Sequence, residues 1–325
     1  MSSLILLGIP IGLVFLYYGS EWMVDGAKKM AFRMGVTPFV VGLTVVAFGS
    51  SAPEAVTSLV SGNNPQIIIG NIVGSNTANI GLAIGLAAII SPIVCKYKEI
   101  RFELVTMMIS IFVITLLALN GYYNWIIGLF LVACLFAFVY SVYVFKAKGR
   151  KDAPVEDKEL AEESKDTSTP IWKSSIMVVL GILVLYVGAK VFIAGSVELA
   201  GIIGISDLLV GLLVVAVGTS LPELCICLLA AYRHENELVV SNIVGSIIFN
   251  SFFALGIGAL VANVPITHYM LVFHMPVMIL MGALMFIMIK SKDRISRPSG
   301  FLLFGIYAAY VALMAIFPEL TSGVM

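Results

Sequence analysis

The chain has 325 residues, 60% of them hydrophobic and 12% charged, with a formal net charge of zero and a mean hydropathy of +1.05. Soluble domains carry about 25% charged residues, so this composition excludes a soluble globular protein and offers nucleic acid no basic surface. What remains is a polytopic membrane protein whose surroundings are the lipid bilayer.

A bilayer core takes about 20 apolar residues per helix. That window predicts ten helices, near residues 3–24, 37–61, 66–91, 102–119, 123–145, 174–195, 206–231, 238–262, 268–289 and 300–317. The first apolar run starts at Leu4 without a basic leader and reads as a spanning helix, not a cleaved signal. Helix 1 closes on YYGSEWMVDGAKKM, where Glu21 and Asp25 read as interfacial charges. Helix 2 carries GLTVVAFGSSAPE from Gly42 to Glu54. Pro53 offers no N–H and its ring crowds the carbonyl of Gly49, so carbonyls around Ala47 to Ser50 are expected to leave the helical ladder. At membrane depth such carbonyls are tolerated only within protein or beside a water-filled cavity. A proline kink accounts for Pro53 but leaves Glu54 unexplained.

Helix 3 places Asn71, Ser75 and Asn79 at i, i+4 and i+8, on one face. It also carries small-xxx-small pairs at Gly70/Gly74 and Gly81/Gly85, which favour close helix contact. Asn71 reads equally well as an interhelical hydrogen-bonding group, whereas Ser75 and Asn79 are read as site residues. Helices 4 and 5 hold few polar groups beyond Glu103 and read as scaffold. Residues 147–172 read as a cytoplasmic linker of mixed charge, without EF-hand spacing. Helix 6 aligns with helix 1 at an offset of 169 residues, which sets Lys190 opposite Glu21. Lys190 is expected to snorkel to the headgroups. In helices 7 and 8, Thr219, Ser220 and Glu223 crowd the turn at Pro222, and Asn242, Ser246 and Asn250 line the facing helix. The four cysteines read as small buried hydrophobes, and the three histidines fall outside both motifs.

The second motif copies the first. Gly211 to Glu223, GLLVVAVGTSLPE, shares nine of thirteen residues with Gly42 to Glu54. NIVGS occurs at Asn71 to Ser75 and again at Asn242 to Ser246, and an asparagine follows each four residues on. A period this long means two half-molecules. If the N-terminus lies outside, 18 of the 19 basic residues fall in cytoplasmic loops and only Lys190 does not, as the positive-inside rule requires. Five helices per copy is an odd number, so the second copy enters from the opposite side. The expected fold is therefore an all-α polytopic membrane protein with ten transmembrane helices in two inverted-topology repeats of five. Its parts are a first repeat at 1–146, the linker at 147–172 and a second repeat at 173–325, with both termini outside.

Glu54 and Glu223 are the carboxylates expected deep in the membrane, where an ionised group implies function. Hydroxyls, amides and carbonyls surround them, with no thiolate or imidazole. That is an all-oxygen environment suited to hard cations such as Ca²⁺ or Na⁺. Spacing alone does not choose between them.

GSSAPE with NIVGSNTAN, and GTSLPE with NIVGSIIFN, resemble the α1 and α2 repeats of the Ca²⁺/cation antiporter superfamily, and within it the prokaryotic Na⁺/Ca²⁺ exchangers. The resemblance implies a monomeric secondary antiporter of a prokaryotic cell membrane, exchanging three Na⁺ for one Ca²⁺ by alternating access. It implies no cofactor and no enzymatic activity. By that resemblance Glu54 and Glu223 bind Ca²⁺ with the carbonyls of Ser50 and Thr219. The carbonyls of Ala47 and Ala216 and the side chains of Ser51, Ser220, Ser75 and Ser246 form flanking Na⁺ sites, and Asn79 and Asn250 complete the centre. Asn250 stands where some archaeal and K⁺-dependent members carry aspartate, so a K⁺-dependent exchanger is one alternative. A Ca²⁺/H⁺ exchanger is another, although its acid–histidine pair is replaced here by serine and asparagine. An intramembrane hydrolase finds no HExxH or nucleophile with a base, and a channel does not call for a two-fold repeat in one chain.

Overall fold

The computed structural model describes residues 5–34, 36–149, 170–202 and 218–321. Its helices are α1 (Gly8–Met34), α2 (Pro38–Asn63), α3 (Gln66–Ile90), α4 (Tyr97–Ala118), α5 (Trp125–Gly149), α6 (Ile171–Ile202), α7 (Leu221–Tyr232), α8 (Asn236–Val261), α9 (Met270–Lys292) and α10 (Arg297–Ile316). Eight of these, all but α1 and α7, are long and apolar enough to cross a membrane. The architecture is an all-helical polytopic membrane fold. α7 is the described end of the expected helix 206–231; residues 206–217, and most of the linker, lie outside the described residues.

Two expectations change. α1 runs to Met34 rather than stopping near residue 24. Apolarity ends where Glu21, Asp25 and Lys28 begin, but the helical ladder continues because these charges have partners. Arg233 reaches Glu21 and Asp25, each at 2.6 Å, and Lys28 reaches Glu235 at 2.6 Å. Glu21 and Asp25 therefore fasten α1 to the turn between α7 and α8. α4 begins at Tyr97, five residues early, so Glu103 lies more than a turn inside it and is buried, a third buried carboxylate beside the two expected. The sequence windows also gave no sign of four two-residue strands. β1 (Ile93–Val94) pairs antiparallel with β4 (Arg294–Ile295), and β2 (Tyr122–Tyr123) with β3 (Val264–Pro265).

Between lipid-solvated helices, close approach comes from small residues. α1 and α6 meet along a seam of glycines. A Cβ on Gly19 would stand 2.8 Å from the Leu185 nitrogen, and one on Gly181 would stand 2.9 Å from the Gly19 carbonyl oxygen. Gly12 lies against Phe192, Gly188 against Phe15 and Leu16, Gly26 against Ser174 and Val178, and Gly195 against Ile5 and Ile9. The centre of the molecule is α3 with α8. Their apolar windows are 78% and 83% buried, against 28% for α5, α6 and α10. α8 also rides directly on α2, where a Cβ on Gly245 would stand 2.5 Å from the Leu43 carbonyl oxygen. Gly81 and Gly85 seat α10 at Tyr307 and Phe304.

Candidate functional site

Both proline motifs break their helices at the same place. In α2, Ser51 departs from helical geometry (φ −88°, ψ 9°), and Ala52, Pro53 and Glu54 open a new helical turn. Ser220 does the same (φ −86°, ψ 4°) ahead of Leu221, Pro222 and Glu223. The break is narrower than the proline rule suggests, because the carbonyl of Ala47 still accepts the Ser51 N–H at 3.0 Å. Each glutamate thus sits in the first turn of a helix inside the protein. A π-helical turn starts at Asn79 in α3 (Asn79–Ile84) and another at Asn250 in α8 (Asn250–Ala254). Such turns interrupt the regular ladder and are frequent at functional sites.

Four helices bring their polar groups together here. Ser51 Oγ of α2 donates to Glu223 Oε1 of α7 at 2.8 Å. Ser75 Oγ of α3 donates to Glu54 Oε1 at 3.3 Å and lies 3.0 Å from Thr219 Oγ1. Thr219 is also 3.2 Å from Asn71 Oδ1, and Ser50 Oγ donates to Asn242 Oδ1 at 3.3 Å. Asn71 therefore makes an interhelical hydrogen bond, and Asn242 makes the matching one. Glu54, Glu223, Ser51, Ser246, Asn79 and Asn250 are all fully buried, at 0% exposure. Ala216 lies outside the described residues.

Among the described residues, six buried oxygens of this cluster have no hydrogen-bond partner: Glu54 Oε2, Glu223 Oε2, Asn79 Oδ1, Asn250 Oδ1, Ser220 Oγ and Ser246 Oγ. Leaving a buried polar group unsatisfied costs about 1–3 kcal/mol, and more for a charged one. Two buried carboxylates without counter-charge are costlier still. The cluster can recover these terms by taking up cations with oxygen coordination, and Ca²⁺ takes 6–8 oxygens.

A cavity of about 300 Å³ reaches this cluster, lined by Pro53, Thr57, Asn71, Tyr186, Lys190, Thr219 and Pro222 among others. Lys190 lies at its wall with its ammonium 4.6 Å from the Tyr186 ring centre. Sequence reasoning passed over Asn76, a fully buried amide of α3 that bonds to Asn250 and Ser251 of α8. The signal was present: NIVGSNTAN and NIVGSIIFN set Asn76 and Thr77 against Ile247 and Ile248, and Asn76 is the one of the two that carries an amide.

Comparison with known proteins places these features in company. The family model described as sodium/calcium exchanger protein matches residues 4–144 and 173–316. An uncharacterized membrane protein of Methanocaldococcus jannaschii is 33% identical over 305 residues, covering 93% of this chain and 95% of its own. The sodium/calcium exchanger MaX1 of Methanosarcina acetivorans is 30% identical over 337 residues, covering 94% and 96%. A solved structure of the sodium-calcium exchanger NCX_Mj, soaked with Na⁺ and Sr²⁺, superposes with a TM-score of 0.81 at 31% identity, covering 96% of this chain and 99% of that one.

Proposed function

The chain belongs to the sodium/calcium exchanger family, and on that premise we propose that it is a secondary antiporter exchanging Na⁺ for Ca²⁺ by alternating access. The observation that carries this reading is the set of six buried oxygens without a partner among the described residues, drawn from both motifs and including both carboxylates. In this reading Ca²⁺ lies between Glu54 and Glu223 with the carbonyls of Ser50 and Thr219. Na⁺ ions flank it, held by Ser51, Ser220, Ser75, Ser246 and the carbonyls of Ala47 and Ala216. Asn79 and Asn250 close the centre. One Ca²⁺ balances the two glutamates; three Na⁺ leave one positive charge, so exchange is electrogenic. The cavity past Lys190 is the ion route on that side of the membrane.

The same proposal includes ten transmembrane helices in inverted repeats at 1–146 and 173–325, joined by the linker at 147–172. It places both termini outside and takes the monomer as the working unit. Two observations support the inversion. An offset of 169 turns Gly12, Gly19 and Gly26 into Gly181, Gly188 and Gly195, and the seam contacts exchange with them: Gly26 on Ser174 becomes Gly195 on Ile5. The strand pairs behave alike, since β1 and β3 hold corresponding places in the two copies, as do β2 and β4, and the pairing is β1 with β4 and β2 with β3.

The test is ⁴⁵Ca²⁺ uptake into proteoliposomes loaded in separate runs with Na⁺, K⁺ or H⁺. Outward Na⁺ is expected to drive uptake, and Glu54→Gln or Glu223→Gln to abolish it in protein that still elutes as one monodisperse species. Uptake driven only by K⁺ or H⁺ selects one of the alternative exchangers. Near-normal uptake by either glutamine variant defeats the site assignment.

A further inference from the structure

Asn76 carries a direction. Its Nδ2 lies 3.1 Å from Ser251 Oγ and 3.8 Å from the Met278 sulfur. A thioether sulfur only accepts, which matches the amide nitrogen that Asn76 turns toward it. The Asn76 oxygen then faces α8, where Asn250 lies 3.3 Å away. A carbonyl oxygen only accepts, so Asn250 must present its own nitrogen to it. That leaves Asn250 Oδ1 as a buried atom without a partner among the described residues. Asn79, the corresponding asparagine of the other motif, has neither its nitrogen nor its oxygen engaged among the described residues. Its copy has Ile247 where Asn76 would be needed.

We propose that Asn76 is a positioning residue, which holds the amide of Asn250 so that its oxygen, and not its nitrogen, faces the cation site. The inference rests on the cation site proposed above and adds a polarity to it. An amide turned the other way presents N–H groups to a cation and repels it. With Met278 and Ser251 behind Asn76, the ligand oxygen of Asn250 is set before any ion arrives, whereas that of Asn79 turns with the ion. The site is chemically two-sided although the motifs that build it are nearly the same.

A double-mutant cycle on equilibrium ⁴⁵Ca²⁺ binding by the purified full-length protein tests this without requiring turnover. A carboxylate presents oxygen either way round, so Asn250→Asp removes the need for orientation. Asn76→Leu is expected to weaken Ca²⁺ binding about tenfold in the otherwise native chain, as loss of a partner behind a metal ligand does. In the presence of Asn250→Asp the same change is expected to cost less than about twofold. Equal losses in the two backgrounds mean a packing defect and overturn the proposal, as does an unchanged affinity for Asn76→Leu alone. Asn76→Ala provides the same comparison with a smaller side chain should leucine prevent folding. Failure of the cation site itself is distinguishable, because Glu54→Gln would then leave Ca²⁺ binding intact.

Discussion

Gly245→Ala should damage ion binding from outside the ligand set. The added methyl would stand 2.5 Å from the carbonyl oxygen of Leu43 and 2.6 Å from the Ala47 Cβ. Ordinary contact lies near 3.5 Å, so α8 must withdraw from α2 by about 1 Å. Backbone and a methyl stub cannot swing aside. Overpacking of this kind costs about 1–3 kcal/mol. The next residue is Ser246, and Asn250 lies about one turn on, so the withdrawal displaces both with α8. It also stretches the Ser50–Asn242 bond, already 3.3 Å, beyond hydrogen-bonding reach. The apparent affinity for Ca²⁺ in proteoliposome uptake should fall about ten- to a hundredfold, along with a lower melting temperature in detergent. Gly305→Ala, where an added Cβ meets nothing within 4 Å among the described residues, is the control and should leave both unchanged. A Gly245→Ala protein with native affinity and native melting would refute the claim that backbone contact between α2 and α8 sets the ligand geometry.

Arg233→Ala removes two 2.6 Å ion pairs to Glu21 and Asp25 that are partly exposed; exposed pairs are worth about 0.2–1 kcal/mol each, so melting in low salt should show a loss of about 1 kcal/mol. The difference from the native chain should shrink in 1 M NaCl, where charges are screened within about 3 Å; a loss independent of salt would contradict the ion-pair account. Acidification protonates Glu54 and Glu223 and removes the charge that holds Ca²⁺, so uptake should fall as pH falls and raised Ca²⁺ should restore it. A flat profile through the acidic range would oppose this. With one net charge moved per cycle, exchange should follow membrane potential at about 2.3 kcal/mol per 100 mV for full-field transfer; uptake clamped at several potentials with valinomycin checks it, and voltage-independent rates would count against the charge balance.

Much of this could be read from the sequence because membrane depth leaves few choices. A glutamate after Ser-x-Pro in an apolar run, present twice, has nowhere inexpensive to be except a shared polar centre, and Glu54 and Glu223 are indeed both fully buried. Helical periodicity put Asn71, Ser75 and Asn79 on one face for the same reason. What escaped depends on how helices rotate against one another. Nothing local tells that Ser51 reaches Glu223 while Ser75 reaches Glu54. The continuation of α1 past residue 24 depends on Arg233, some two hundred residues away in sequence. Asn76 breaks the repeat, so repetition does not mark it, and its partners Ser251 and Met278 lie on other helices.

The glycine seam has a consequence for how such a chain could arise. Gly12, Gly19 and Gly26 are seven residues apart, as are Gly181, Gly188 and Gly195, and each set packs on the helix that carries the other. Contacts that exchange in this way form an isologous interface, of the kind that joins identical subunits about a two-fold axis. One half-chain already holds both faces of it, so no second surface has to be matched to the first. Two separate copies inserted in opposite orientations would meet through the same glycines. An interface of this kind leaves the two halves free to differ elsewhere, as Asn76 and Ile247 do.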